Sequence, residues 1–345
     1  MKKRLVPALG SLLLVLAPYS ATAQAPAAGA TTASCASAGD LKFVCATINV
    51  EDLLPVDRGR WLVGGSYKEG SVGLYLIDTT AKTSRSVALS IAAKPDPRYP
   101  CKAPDMKRLQ THGLDVTPEH EGVTTVYAVN HGERESVEVF RLNAAKAAAE
   151  WVGCVVMPEG VSPNSVAVMP KGGGFVVTKF LDTRDKESFQ HIMAGQVNGV
   201  VYLWTPGKGF SEVPGTQLSG DNGILVSKDG KWVYVNAWGT HEIYRVPLSG
   251  QGERTSAKVD FCPDNLRWAP DGTILTAGQY VSSQTLNTTH GWAVVRLDPT
   301  TLKVTPVVKE AALPQFADAT TAVQVGQTLW FGTFRGDRVA YREMH

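Results

Sequence analysis

The stretch Asp221-Asn222-Gly223-Ile224-Leu225-Val226-Ser227-Lys228-Asp229-Gly230-Lys231-Trp232-Val233-Tyr234-Val235-Asn236-Ala237 decides the fold. Lys228-Asp229-Gly230 is a turn, because Asp bonds its own backbone and Gly supplies the backbone freedom. The run Lys231–Ala237 that follows is β-branched and aromatic and ends in small residues, which predicts a strand. The same unit recurs along the chain. Arg58-Gly59-Arg60 precedes Trp61–Gly65, and Glu121-Gly122 precedes Val123–Asn130. Lys171–Gly174 precedes Phe175–Thr178, Asp271-Gly272 precedes Thr273–Gly278, and Gly326 precedes Leu329–Thr333. Six copies at roughly 50 residues each match the period of a four-stranded propeller blade. A two-sheet sandwich also uses many short strands but has no reason for this repeat. The expectation is an all-β, six-bladed propeller over residues 40–345. Helical character is confined to Ala144–Glu150 and Arg184–Ala194, the latter near the tunnel mouth.

Working outward, the first 23 residues read as an export signal. Lys2, Lys3 and Arg4 precede an apolar run from Leu9 to Ala17, and Ala21-Thr22-Ala23 offers a cleavage site. The run is shorter than the ~20 residues a spanning helix needs. Residues 24–39, rich in small residues, read as a flexible leader. The expected product is a secreted protein, in the simplest case periplasmic. The formal net charge of +2 owes three positive charges to the signal, so the mature chain has no electrostatic footprint for nucleic acid or anionic membrane. Cys35, Cys45, Cys101, Cys154 and Cys262 allow one or two disulfides and leave one thiol over. Their connectivity is open.

A polar residue stands in phase upstream of each turn: Glu51 before Gly59, His112 before Gly122, Asn164 before Gly172, Asn222 before Gly230, and Asp264-Asn265 before Gly272. The sixth unit offers Asp318, Thr320 or Thr321. In a propeller these positions begin the innermost strands and point to one axis. Turn chemistry explains any one of them alone. Together Glu51, Asn164, Asn222, Asp264 and Asn265 form a hard-oxygen set suited to Ca²⁺, with no thiolate and one imidazole, which argues against zinc or copper.

These residues resemble those of the paraoxonase/arylesterase family, within the wider group of senescence-marker gluconolactonases. Val50-Glu51-Asp52-Leu53, His112-Gly113-Leu114 and Ala128-Val129-Asn130-His131-Gly132 are similar to family segments, as is Val137-Glu138-Val139-Phe140. Pro163-Asn164-Ser165, Asp221-Asn222-Gly223 and Pro263-Asp264-Asn265 resemble three further ligand segments, and Gly332-Thr333-Phe334 through Arg342 the last blade. The resemblance implies that Glu51, Asn164, Asn222, Asp264 and Asn265 hold a catalytic calcium, with His112 and His131 as a dyad above it. It also implies lactonase or arylesterase activity on a small-molecule ester. Asp52 and the Leu114 carbonyl would belong to a second, structural calcium, whose third position, an Asp in the family, is Ser165 here or is shifted. The family's disulfide between chain ends has no C-terminal cysteine here, so ring closure falls to strand pairing or another disulfide.

For the water proton, His112 polarised by His131 competes as base with Asp264 or Glu51; a cation lowers carboxylate basicity, which favours His112. A buried, backbone-bonded imidazole is the plain alternative for His112. His120, His241, His290 and His345 default to the surface, His191 sits in the helical stretch, and Cys262 reads as a packed thiol. No G-x-S-x-G elbow, Walker or G-x-G-x-x-G pattern occurs. Isomerisation or condensation in the same tunnel, or non-enzymatic ligand binding, are the competing functions.

Overall fold

The computed structural model describes residues 35–344 except 69, 72, 283 and 284. The export signal over residues 1–23 and the leader up to residue 34 lie outside the described residues. Six sheets form the six blades. Their innermost strands are Leu53–Val56, Thr111–Val116, Val161–Val168, Asp221–Val226, Cys262–Trp268 and Thr321–Val325, each hydrogen-bonded to the strand that follows its turn. The expected repeat thus sets the blades. Blade 2 has five strands, because Ala88–Ile91 adds to Ala148–Val156 in parallel. The other blades have four antiparallel strands.

The period-two pattern of the strands explains how blades stack. In Trp232–Ala237, Val233 and Val235 pack with Ala167, Val176 and Val201 of blade 3, whereas Tyr234 packs with Leu266, Ile274 and Val295 of blade 5. Each of the remaining interfaces has such an apolar cluster. Leu76 meets Phe140 and Trp151, Val139 meets Phe175, Trp292 meets Phe331, and Trp330 meets Leu62 and Ile77. The core is therefore a ring of wedges around the axis.

Closure joins the two ends of the described chain. Lys42–Cys45 is the outermost strand of blade 6 and pairs antiparallel with Arg338–Glu343, with Lys42 opposite Tyr341 and Cys45 opposite Arg338. A Cys35–Cys45 disulfide ties the preceding segment to that strand. A second disulfide, Cys101–Cys154, pins the long connection between blades 1 and 2, and Cys262 is a buried free thiol.

Two expectations change. Ala144–Glu150 is a turn followed by the strand Ala148–Val156, with Ala147 at φ 47°. Burial of Ala149, Trp151 and Cys154 outweighs the helix preference of the alanines. Within Arg184–Ala194, only Ser188–Met193 is helical. Among the described residues no helix is long and apolar enough to cross a membrane.

Candidate metal centre

Four of the six innermost strands share one irregularity. Pairing with the next strand jumps from Thr111 to Leu114, from Pro163 to Val166, from Asp221 to Ile224 and from Pro263 to Leu266. The dipeptides His112-Gly113, Asn164-Ser165, Asn222-Gly223 and Asp264-Asn265 leave the ladder at these bulges, and in blade 1 Glu51-Asp52 lies just before pairing begins at Leu53. A bulge re-aims side chains that regular pleating would send between blades. Crowding at the axis selects glycine: a Cβ on Gly113 would lie 2.4 Å from the Asn164 carbonyl oxygen, and one on Gly223 2.1 Å from that of Asp264.

Several backbone groups at the ring are met by side chains of the second strands and by Thr320, just before the innermost strand of blade 6. Thr178 accepts from the Ser165 N–H at 3.0 Å and donates to the Asn222 carbonyl at 2.8 Å. Thr276 donates to the Asn265 carbonyl at 2.9 Å, Asn236 donates to the Asp264 carbonyl, and Thr320 donates to that of Glu51. These backbone groups are satisfied, whereas five side-chain oxygens of the ring are not. Glu51 Oε2, Asn164 Oδ1, Asn222 Oδ1, Asp264 Oδ1 and Asn265 Oδ1 are all buried with no hydrogen-bond partner. The other oxygen of each carboxylate is held by an amide. Asn265 Nδ2 donates to Glu51 Oε1 at 2.6 Å, and Gln279 Nε2 donates to Asp264 Oδ2 at 2.8 Å.

Unpaired buried oxygens are costly. Burial, and then the neighbouring Asp264 and Asp52, push the Glu51 carboxyl well above its usual range, and burial pushes Asp264 up to about 8. A divalent cation touching the free oxygens would offset both effects. Two carboxylates and three amide oxygens fit calcium, a hard ion with oxygen ligands. Among the described residues, no three His, Cys, Asp or Glu side chains group as a cage for a softer metal.

The sixth blade adds no free carboxylate to this ring. Asp318 receives hydrogen bonds from Thr333 and from Arg335 Nε, the latter at 2.7 Å. A second ion at Asp52 and the Leu114 carbonyl does not fit. Asp52 Oδ2 accepts from the Leu114 N–H at 2.7 Å and pairs with the guanidinium of Arg267. Arg267 also donates to the Leu114 carbonyl at 3.1 Å, to Leu53 at 3.2 Å and to Leu266 at 2.6 Å. A fixed internal cation already takes up both donors, and Ser165 supplies no charge to compete for it.

His112 and His131 meet as the sequence suggests, and a third residue extends the chain. Glu135 Oε2 lies 2.7 Å from His131 Nδ1, and His131 Nε2 lies 2.9 Å from His112 Nδ1. A carboxylate only accepts, so His131 carries its proton on Nδ1 and accepts through Nε2. His112 must then donate from Nδ1, which leaves a lone pair on Nε2, 3.8 Å from Glu51 Oε2. Tyr67 stacks on the His112 ring at 4.1 Å and 10°. Burial first, and then the neighbouring His131 and Lys68, hold His112 well below its usual pKa, so it stays neutral.

These groups form the floor of a cavity of about 290 Å³. Phe180, Phe189 and Trp238, with ring centroids 5.5 to 6.2 Å apart, make an aromatic wall together with Leu181 and Val281. Phe189 belongs to the short helix at the mouth. His191 on that helix turns to Asp185 at 2.8 Å and does not line the cavity. His241 departs from its expected surface position, half-buried with Nε2 3.3 Å from Cys262 Sγ; burial raises that thiol to about 12 and keeps it inert.

A family model described as "SMP-30/Gluconolactonase/LRE-like region" matches residues 117–338. No curated protein sequence matches the chain. Among solved structures, the chain is similar to a luciferin-regenerating enzyme at 11% identity, covering 87% of this chain and 92% of that one, with a TM-score of 0.56. A candidate gluconolactonase is similar at 15% identity, covering 88% and 91%, TM-score 0.53. A catalytically inactive virginiamycin B lyase from Staphylococcus aureus, solved with quinupristin, is similar at 13% identity, covering 88% and 99%, TM-score 0.50. At such identities the likeness is one of fold.

Proposed function

Because the chain belongs to the SMP-30/gluconolactonase/LRE-like family, we propose that it is a calcium-dependent hydrolase of lactones or aryl esters, of the paraoxonase-like kind, acting at the mouth of the tunnel. The observation that carries this reading is the set of five buried, partnerless oxygens beneath an imidazole whose bare nitrogen faces them. Glu51, Asn164, Asn222, Asp264 and Asn265 would hold the ion from below. When bound, calcium supplies Lewis acidity toward a carbonyl oxygen and the charge to stabilise an oxyanion. His112 Nε2 takes the proton of the attacking water, and His131 and Glu135 hold the imidazole in the tautomer that permits this. Glu51 and Asp264 are poorer bases while they serve as ligands. The aromatic wall orients the apolar part of the substrate and excludes water. The two disulfides suit an oxidising compartment, consistent with export to a periplasm.

The test is hydrolysis of a panel of lactones and aryl esters in calcium and in EDTA. Wild type should lose activity in EDTA and regain it with calcium. Asn222→Ala should be inactive at calcium levels that saturate wild type. Chelator-insensitive hydrolysis would sink the reading. His112→Gln should lower kcat by about 10² to 10⁴, the usual worth of a general base. Glu135→Gln should lower kcat by about tenfold or more with little change in KM, since Glu135 acts through His131 and does not line the cavity. An Asp at that position should restore part of the loss. A change confined to KM would show that Glu135 has no part in proton transfer.

Calcium affinity should also follow pH. In the metal-free protein Asp264, at about 8, and the raised Glu51 bind protons that calcium must displace. Affinity therefore weakens as pH falls below about 8. Calorimetric titration from pH 6 to 9 reads this directly; equal affinity at both ends would contradict it.

A further inference from the structure

Three charged side chains line the cavity: Glu51, Asp264 and Lys68. A divalent ion held on the floor, as proposed above, would balance the two carboxylates and leave Lys68 to set the charge of the mouth. Its surroundings are unusual for a lysine. Nζ stands 5.2 Å from the Tyr67 ring and 5.2 Å from the Phe334 ring, held by two aromatic faces. No carboxylate of the described residues forms an ion pair with it; Asp318, the acidic group whose charge acts on it, is taken by Arg335. Burial and Arg335 weaken its hold on the proton, which a bound anion would restore. Across the cavity stand Phe180, Phe189 and Trp238. The site is thus apolar on one side and cationic on the other.

We propose that Lys68 is the specificity-determining residue of this site and recognises an anionic group on the substrate. The ligand class is an ester or lactone whose apolar portion lies against Phe180, Phe189 and Trp238 and whose carboxylate reaches Lys68. This rests on the hydrolytic reading above for the identity of the scissile group, but the anion site stands on Lys68 alone. Lysine meets a carboxylate as a point charge, so the site selects charge more than shape.

Two esters that differ in a terminal carboxylate, 4-nitrophenyl hemisuccinate and 4-nitrophenyl butyrate, test it in the presence of calcium. Wild type should show the lower KM for the hemisuccinate. Lys68→Met keeps the apolar stem over both rings, and it should cut the hemisuccinate-to-butyrate ratio of kcat/KM about tenfold, through KM. Lys68→Arg should keep most of the preference. In parallel, benzoate affinity by calorimetry should fall about tenfold in Lys68→Met. A ratio and a benzoate affinity both unmoved by Lys68→Met would overturn the proposal. If wild type hydrolyses neither these esters nor any member of the lactone and aryl-ester panel, the hydrolase reading fails, and the benzoate comparison alone decides for or against Lys68.

Discussion

Asp264→Asn is expected to raise the melting temperature in EDTA at pH 9 and to lower it in calcium. The buried Asp264 carboxyl, with its pKa at about 8, is protonated more readily in the folded protein than in the unfolded chain. Its cost to the metal-free fold therefore grows as pH rises from the ordinary carboxylate range near 4 and is complete above about 8. An isosteric amide removes that cost and the repulsion with Glu51, which should be worth several degrees. In calcium the balance reverses. Wild type at a thousandfold excess of the ion over its dissociation constant gains about 4 kcal/mol, a rise of roughly 10 °C for a domain of this size. The variant keeps only a small part of that rise. Thermal unfolding of both proteins, with EDTA and with calcium, gives four melting temperatures. If calcium raises the two melting temperatures equally, or raises neither, the carboxylate ring is not a calcium site; if wild type is the more stable in EDTA, the buried Asp264 carboxyl costs the metal-free fold nothing.

The second large effect lies below the ring. Arg267 is buried, pairs with the fully buried Asp52, and bonds three carbonyls from blades 1, 2 and 5. Arg267→Met would strand the Asp52 charge and leave those carbonyls short of a donor. Breaking a buried pair from one side typically costs about 3 to 5 kcal/mol, so melting should fall by roughly 10 °C or more. Asp52→Asn combined with Arg267→Met should recover part of the loss, because no uncompensated charge then remains. Denaturant unfolding of the two variants and wild type reads both effects. A neutral Arg267→Met would mean the guanidinium carries no structural weight. In keeping with an internal cation here, wild type should bind one calcium per chain, and a stoichiometry of two would contradict that.

The repeat made the blades legible, since a Gly-containing turn followed by a β-branched run is a local signal that needs no tertiary knowledge. The phase of Glu51, Asn164, Asn222 and Asp264-Asn265 relative to those turns was legible for the same reason: the bulges fall at the same place in several innermost strands. What escaped was carried by residues outside that phase. Arg267 follows Asn265 by two positions and reads as an ordinary strand residue, yet its side chain runs along the axis to Asp52. Gln279 sits on a second strand and reaches Asp264 only because the blade folds back on itself. Glu135 belongs to a turn rich in charge, Gly132-Glu133-Arg134-Glu135, where the sequence gives no sign that one of two glutamates faces His131. Lys68 lies in a connection with no periodicity to read. The helix misread at Ala144–Glu150 has the opposite cause: local preference was clear, and packing against blade 1 overruled it.

The closing strand has a consequence for synthesis. Lys42–Cys45 leaves the ribosome before every other described strand, but its hydrogen-bonding partner Arg338–Glu343 follows all of them. Blade 6 cannot be completed, nor the circle locked, until Arg338–Glu343 has emerged. Until then the nascent chain carries an unsatisfied sheet margin at each end, open to mispairing with other chains.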